Sequence, residues 1–65
     1  MDNNYKFIDE ENNIIYKVIS PNRVIPEKEQ HVIVRGEEYS VLRVNEIIDF
    51  DKFKREITIY LNNLE

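Results

Sequence analysis

Apolar and polar residues alternate along most of the chain with a period of two, the pattern of strands that turn one face toward a core. Tyr5, Phe7, Tyr16 and Val18 recur in this way around the pair Asn12-Asn13. Asparagine tolerates positive φ, so the pair predicts a two-residue type I′ turn that sets Glu11 against Ile14, Phe7 against Val18 and Tyr5 against Ser20. The other face of this hairpin carries Lys6, Ile8, Glu10, Ile15, Lys17 and Ile19, a mixture that fits a partly covered surface. Two prolines, Pro21 and Pro26, then break the pattern, and Glu27 to Gln30 continue it as a charged stretch. The segment predicts an ordered loop pinned to the core by Val24 and Ile25.

A second hairpin is expected from His31 to Val41, because the single glycine, Gly36, precedes Glu37 in the manner of a type II′ turn. That turn pairs Arg35 with Glu38, Val34 with Tyr39, Ile33 with Ser40 and Val32 with Val41, and leaves His31 opposite Leu42. Further on, the apolar parity changes. Tyr39 and Val41 point one way, Leu42, Val44 and Ile48 the other, so a bulge or sharp bend is expected between them. A loop over Asp49 to Lys52 then pairs Ile48 with Phe53, Glu46 with Arg55, Val44 with Ile57 and Leu42 with Ile59. These elements predict a mainly β domain: a small five-stranded antiparallel barrel, SH3-like, or a strongly bent sheet. The competing reading is α+β, four strands plus a C-terminal helix from about Asp49, since Phe50, Phe53, Ile57, Leu61 and Leu64 also fit a helical stripe. The β-branched and aromatic run Ile57-Thr58-Ile59-Tyr60 favours the strand.

Sixty-five residues, 42% of them hydrophobic and 34% charged, form a single domain over residues 1–65. A chain this small gains core area by self-association, so a homo-oligomer is one expected state. Nine Lys and Arg against 13 Asp and Glu leave a net charge of −4, which opposes general binding to phosphate backbones. Cysteine is absent, which removes disulfides, thiolate chemistry and Cys-based metal sites. The first residues, Met1-Asp2-Asn3-Asn4, lack signal-peptide character, and no apolar run nears the roughly 18 residues of a membrane span. A cytoplasmic location without membrane contact is expected. Alanine is absent and isoleucine abundant, a bias that matches AT-rich codons.

Catalysis has little to draw on. His31 is the single imidazole, and Ser20 and Ser40 are the only serines. A Ser40-His31 dyad oriented by Glu29 or Glu46 is the one arrangement available, and a solvent-edge histidine is the simpler reading. No enzyme activity, cofactor or metal is expected. Three surfaces are candidates for binding. Ile15, Ile19, Ile25, Ile47 and Tyr60 exceed what a tiny core encloses and form the candidate protein interface. Lys52, Phe53, Lys54 and Arg55 combine cations with an aromatic ring and form the candidate nucleic-acid patch. Glu37, Glu38, Glu46, Asp49 and Asp51 form a candidate acidic surface able to mimic phosphates.

The stretch Pro26 to Leu61, with His31-Val32-Ile33-Val34-Arg35-Gly36, Tyr39-Ser40-Val41 and Ile57-Thr58-Ile59-Tyr60-Leu61, resembles small uncharacterised phage and prophage proteins built as SH3-like barrels. The likeness covers about half the chain. It departs where Glu29-Gln30 stand in place of the usual glycine. The resemblance implies a fold and carries no functional residue with it. The expected function is a non-catalytic protein-binding module, a phage or mobile-element regulator or inhibitor of a host protein, with an anti-defence role included. The alternative is a small β-barrel that binds single-stranded nucleic acid.

Overall fold

The computed structural model describes residues 1–64 and contains five strands: β1 (Asp2–Ile8), β2 (Ile14–Ser20), β3 (His31–Val34), β4 (Glu37–Asp49) and β5 (Lys54–Asn63). They form one sheet in the order β2-β1-β5-β4-β3. The hairpins β1–β2, β3–β4 and β4–β5 are antiparallel, as expected. The pairing of β1 with β5 is parallel, which corrects the expectation of a wholly antiparallel sheet. Chain direction explains it: four reversals separate β5 from β1, and an even number returns the chain to its starting direction. No helix occurs among the described residues, and the C-terminal segment is strand through Asn63.

The sheet curls toward closure. Ile15 at the start of β2 and Val34, Arg35, Glu37 and Tyr39 around the β3–β4 turn line one cavity, so the two edge strands converge at that end and leave a nearly closed barrel. Ile57, Ile59 and Leu61 of the central β5 are essentially inaccessible and meet Tyr5, Val34, Tyr39 and Val41 in the core. Phe7, Ile15, Ile25, Val32 and Val44 pack around them. The bulge anticipated from the change of parity is present, with the β4–β5 register shifting between Val41 and Arg43. Leu42 is the extra residue there and is exposed, whereas it was expected to face inward.

All three connections differ from those expected, two tight turns and a loop over Asp49 to Lys52, and each register slides by two residues. At β3–β4 the positive-φ residues are Arg35 and Gly36, with Val34 opposite Glu37 and Val32 opposite Tyr39. Two successive positive φ values make a type I′ turn, whose twist suits a right-twisted hairpin. At β1–β2 the Asp9 carboxylate accepts the N–H groups of Glu11 and Asn13, both at 2.9 Å, and Asn12 adopts φ 63°. The turn is longer than the Asn12-Asn13 pair, and Tyr5 faces Val18 instead of Ser20. At β4–β5 the Asp49 carboxylate accepts the N–H groups of Asp51 and Lys52, and Ile48 faces Arg55 instead of Phe53.

The 21–30 loop covers the inner face where the curl leaves it open. The Tyr5 hydroxyl donates to the Asn22 carbonyl at 2.6 Å and accepts the Val24 N–H at 2.7 Å. Ile25 packs on the core beside these contacts. Arg23 donates two hydrogen bonds to Glu46, of 2.9 and 2.8 Å, and Glu46 lies 3.0 Å from Arg55 Nε as well. Arg55 also donates to Asn3 Oδ1 at 2.8 Å, and the buried Asn3 amide donates to the Ser20 carbonyl. The Arg23 hydrogen bonds and the two positive charges hold the Glu46 carboxyl below its ordinary pKa, against the opposing effect of burial.

Two outcomes follow. Ile57→Ala, at the centre of the core, should cost about 3 kcal/mol in urea unfolding, since β-sheet neighbours on both sides keep the space from collapsing. Glu46 binds fewer protons folded than unfolded, so its contribution is complete above the ordinary carboxylate range and disappears as pH falls through its lowered pKa. Glu46→Gln should therefore be less stable at neutral pH and show a shallower loss of thermal stability on acidification, with little difference from the parent at the acid end.

Candidate functional site

The face of the sheet turned away from the core carries the most developed surface feature. Register places Ile19, Asn4, Glu56 and Ile47 in one row across β2, β1, β5 and β4. The next row is Lys17, Lys6, Thr58 and Asn45. Each row spans three strand spacings, or about 14 Å. Two branched apolar side chains therefore stand at the ends of a row whose middle is shorter and polar. The result is a groove of about 600 Å³ walled by Ile19 and Ile47 and floored by Asn4, Lys6, Glu56 and Thr58. Ile19 is 68% exposed and Ile47 53%, so neither contributes much to the fold.

Charge on this face runs against the acidic total. Lys6 and Lys17 are direct cross-strand partners, a like-charge arrangement that weakens the hairpin. Neither forms an ion pair among the described residues. Further along, Arg43 sits 4.1 Å from the centre of the Tyr60 ring, its cross-strand partner. Lys54 is engaged with Glu56 at 3.5 Å. The groove thus offers two apolar anchors and two unpaired lysines, with its one carboxylate, Glu56, engaged by Lys54, and it is suited to an apolar, acidic ligand segment.

Of the expected interface residues, the structure brings Ile19 and Ile47 together on the groove and places Tyr60 on the same face beside Arg43. Ile15 and Ile25 pack against the core instead. The basic group divides. Lys52 and Phe53 lie exposed at the β4–β5 turn, Lys54 pairs with Glu56, and Arg55 points inward to Asn3 and Glu46. The acidic group divides further. Glu37 and Glu38 begin β4, Asp49 ends it 12 positions after Glu37 with Asp51 in the next turn, and Glu46 is engaged by two arginines. Glu37 accepts the Tyr39 hydroxyl at 3.0 Å and raises its pKa.

His31 lies directly opposite Ser40, two residues from the partner expected, Leu42, with Nδ1 3.1 Å from Glu38 Oε2. The His31 and Glu38 side chains are 61% and 56% exposed, and neither lines the groove or the barrel-end cavity, so nothing there excludes water from a reacting group. Among the described residues, no group of three or more His, Asp or Glu is placed to hold a metal ion. Nor is any helix among the described residues long and apolar enough to cross a membrane.

Lys6, Lys17, Thr58 and Asn4 escaped the sequence reading as a site. Lys6 and Lys17 were legible as residues of one hairpin face, but Thr58 and Glu56 join them only through the parallel β1–β5 pairing. No family model, curated protein or solved structure matches this chain. The site is therefore read from its own chemistry. Removing the repulsion between the paired lysines should stabilise the fold: Lys17→Glu should gain about 0.5 kcal/mol in denaturant unfolding at low salt. The gain should shrink in high salt, where exposed charges are screened.

Proposed function

We propose that this chain is a non-catalytic protein-binding module that engages its partner through the outer face of the sheet, and regulates or inhibits that partner by occupying its surface. The observation that carries this reading is the groove whose walls, Ile19 and Ile47, are exposed isoleucines at the two ends of one cross-strand row. Apolar anchors flanking a short polar floor give a partner side chain somewhere to lose water, and the surrounding lysines supply orientation. The AT-rich residue bias and the likeness to small SH3-like phage barrels make a host protein the partner this proposal favours.

Affinity capture tests it. The tagged chain should retain a stoichiometric protein from host lysate, Ile19→Glu and Ile47→Glu should each lose it, and Lys28→Ala, in the 21–30 loop, should keep it. Recovery of no partner, or its retention by both isoleucine variants, overturns the proposal. A second reading, single-strand nucleic-acid binding, draws on the β4–β5 turn, where exposed Phe50 and Phe53 flank Lys52. On that reading labelled oligonucleotides bind at low salt, release steeply as salt rises and lose affinity with Phe53→Ala.

A further inference from the structure

The two edges of the sheet are built differently. β3 is four residues long, and its approach is bulged, with the Glu29 N–H bonded to the Val41 carbonyl and the Val41 N–H to the Gln30 carbonyl. Glu38, opposite Ile33, puts charge beside it, and Arg35 and Glu37 flank its turn. These are the devices that blunt an edge against strand pairing. β2 is seven residues long, without proline or glycine, and Lys17 is its single charge. Its backbone pairs with β1 alone among the described residues.

Side chains along β2 tell the same story. Tyr16 and Val18 are cross-strand partners of Phe7 and Tyr5, so they point toward the inner face, yet both remain exposed while Tyr5 is buried. The inner surface is missing cover beside β2. On the outer face, Lys17 and Ile19 stand at the rim of the groove, with Lys17 already facing Lys6.

We infer that the free edge of β2 accepts an extended segment of the partner protein as a sixth strand, apolar on the side facing Tyr16 and Val18 and carrying a carboxylate opposite Lys17. This rests on the protein-binding reading of the outer face and adds how the partner's chain is held. Backbone hydrogen bonds to β2 supply the docking, and alternate side chains supply selectivity. A second copy of this chain is disfavoured by charge. β2 contains no acidic residue, so two copies joined edge to edge would bring two Lys6–Lys17 pairs together with nothing to neutralise them. Lys17 then acts in two ways: it deters self-pairing and selects an acidic strand.

The experiment is a titration of the isotope-labelled chain, followed by amide resonances, with an acetylated nine-residue peptide alternating threonine and valine around a central glutamate. Expected are shifts and slowed hydrogen exchange over Ile14–Ser20, and affinity lower by about tenfold when the central residue is lysine. Lys17→Glu should reverse that ranking. Methylating the peptide's backbone nitrogens on one alternate set should abolish binding, and on the other set should leave it, because an added strand uses every second N–H toward its neighbour. Equal affinity for the two peptides, shifts confined to β3 or the 21–30 loop, or no shift at millimolar peptide overturns the inference. So does sedimentation of the chain alone as a dimer with protected β2 amides, which would seat a second copy there. If the peptide fails while Ile47→Glu still releases a captured partner, the outer-face reading stands and the edge reading falls.

Discussion

A single twisted sheet buries one face only if something crosses that face, and in this protein the crossing element is the 21–30 loop. Ile57, Ile59 and Leu61 lie at the middle of the sheet, and β1 and β4 shield them laterally. Closure from above depends on Tyr5, whose hydroxyl binds the loop backbone at both Asn22 and Val24. A tyrosine suits the place because its ring fills the core while its hydroxyl reaches the layer above. The same side chain therefore ties the first strand, the core and the covering loop together.

Next to that clamp, the inner face turns polar. Arg55 and Glu46 project inward from β5 and β4, and Arg23 descends on them from the loop. An arginine and a carboxylate on an inner face are costly unless paired, and here Glu46 serves two arginines while Asn3 takes one of them. Arg55 Nε lies close to Glu46 without an aligned hydrogen bond, so its attraction there is ionic and non-directional. This cluster consumes the strongest charges of two candidate surfaces. What remains on the outside is the Lys6–Lys17 pair, and the groove keeps these two cations unpaired among the described residues because its one carboxylate, Glu56, is engaged by Lys54.

The proposed binding function draws on what the fold leaves unfinished. The outer row from Ile19 to Ile47 contributes little to stability, and the edge of β2 stops before Tyr16 and Val18 are covered. By contrast β3 is short and bulged, with charged residues at its turn. An edge left open on one side and blunted on the other has a direction, and the groove lies at the open side. The Lys6–Lys17 repulsion belongs to the same pattern, a local cost to folding that the proposed carboxylate-bearing ligand would relieve.

Alternation of apolar residues was enough to assign the five strands, the faces of the hairpins and the bulge near Leu42. The period-two pattern is insensitive to a slide of two residues, since such a slide keeps every side chain on its own face. All three registers slid in that way, and the turns decided them: Asp9 gathered N–H groups into a longer loop, Asp49 capped a four-residue loop one position further along, and Arg35 joined Gly36 at positive φ. Such choices depend on a few hydrogen bonds and on strand twist, which composition does not encode. The parallel contact of β1 with β5 lay further out of reach, because it joins residues some fifty positions apart. The sequence by itself therefore determined the strands and most of their core-facing positions, while Leu42 ended outside and Ile15 and Ile25, expected at an interface, ended against the core. Only the tertiary structure decided which outward residues meet, because cross-strand neighbours are set by chain path and turn geometry rather than by local pattern.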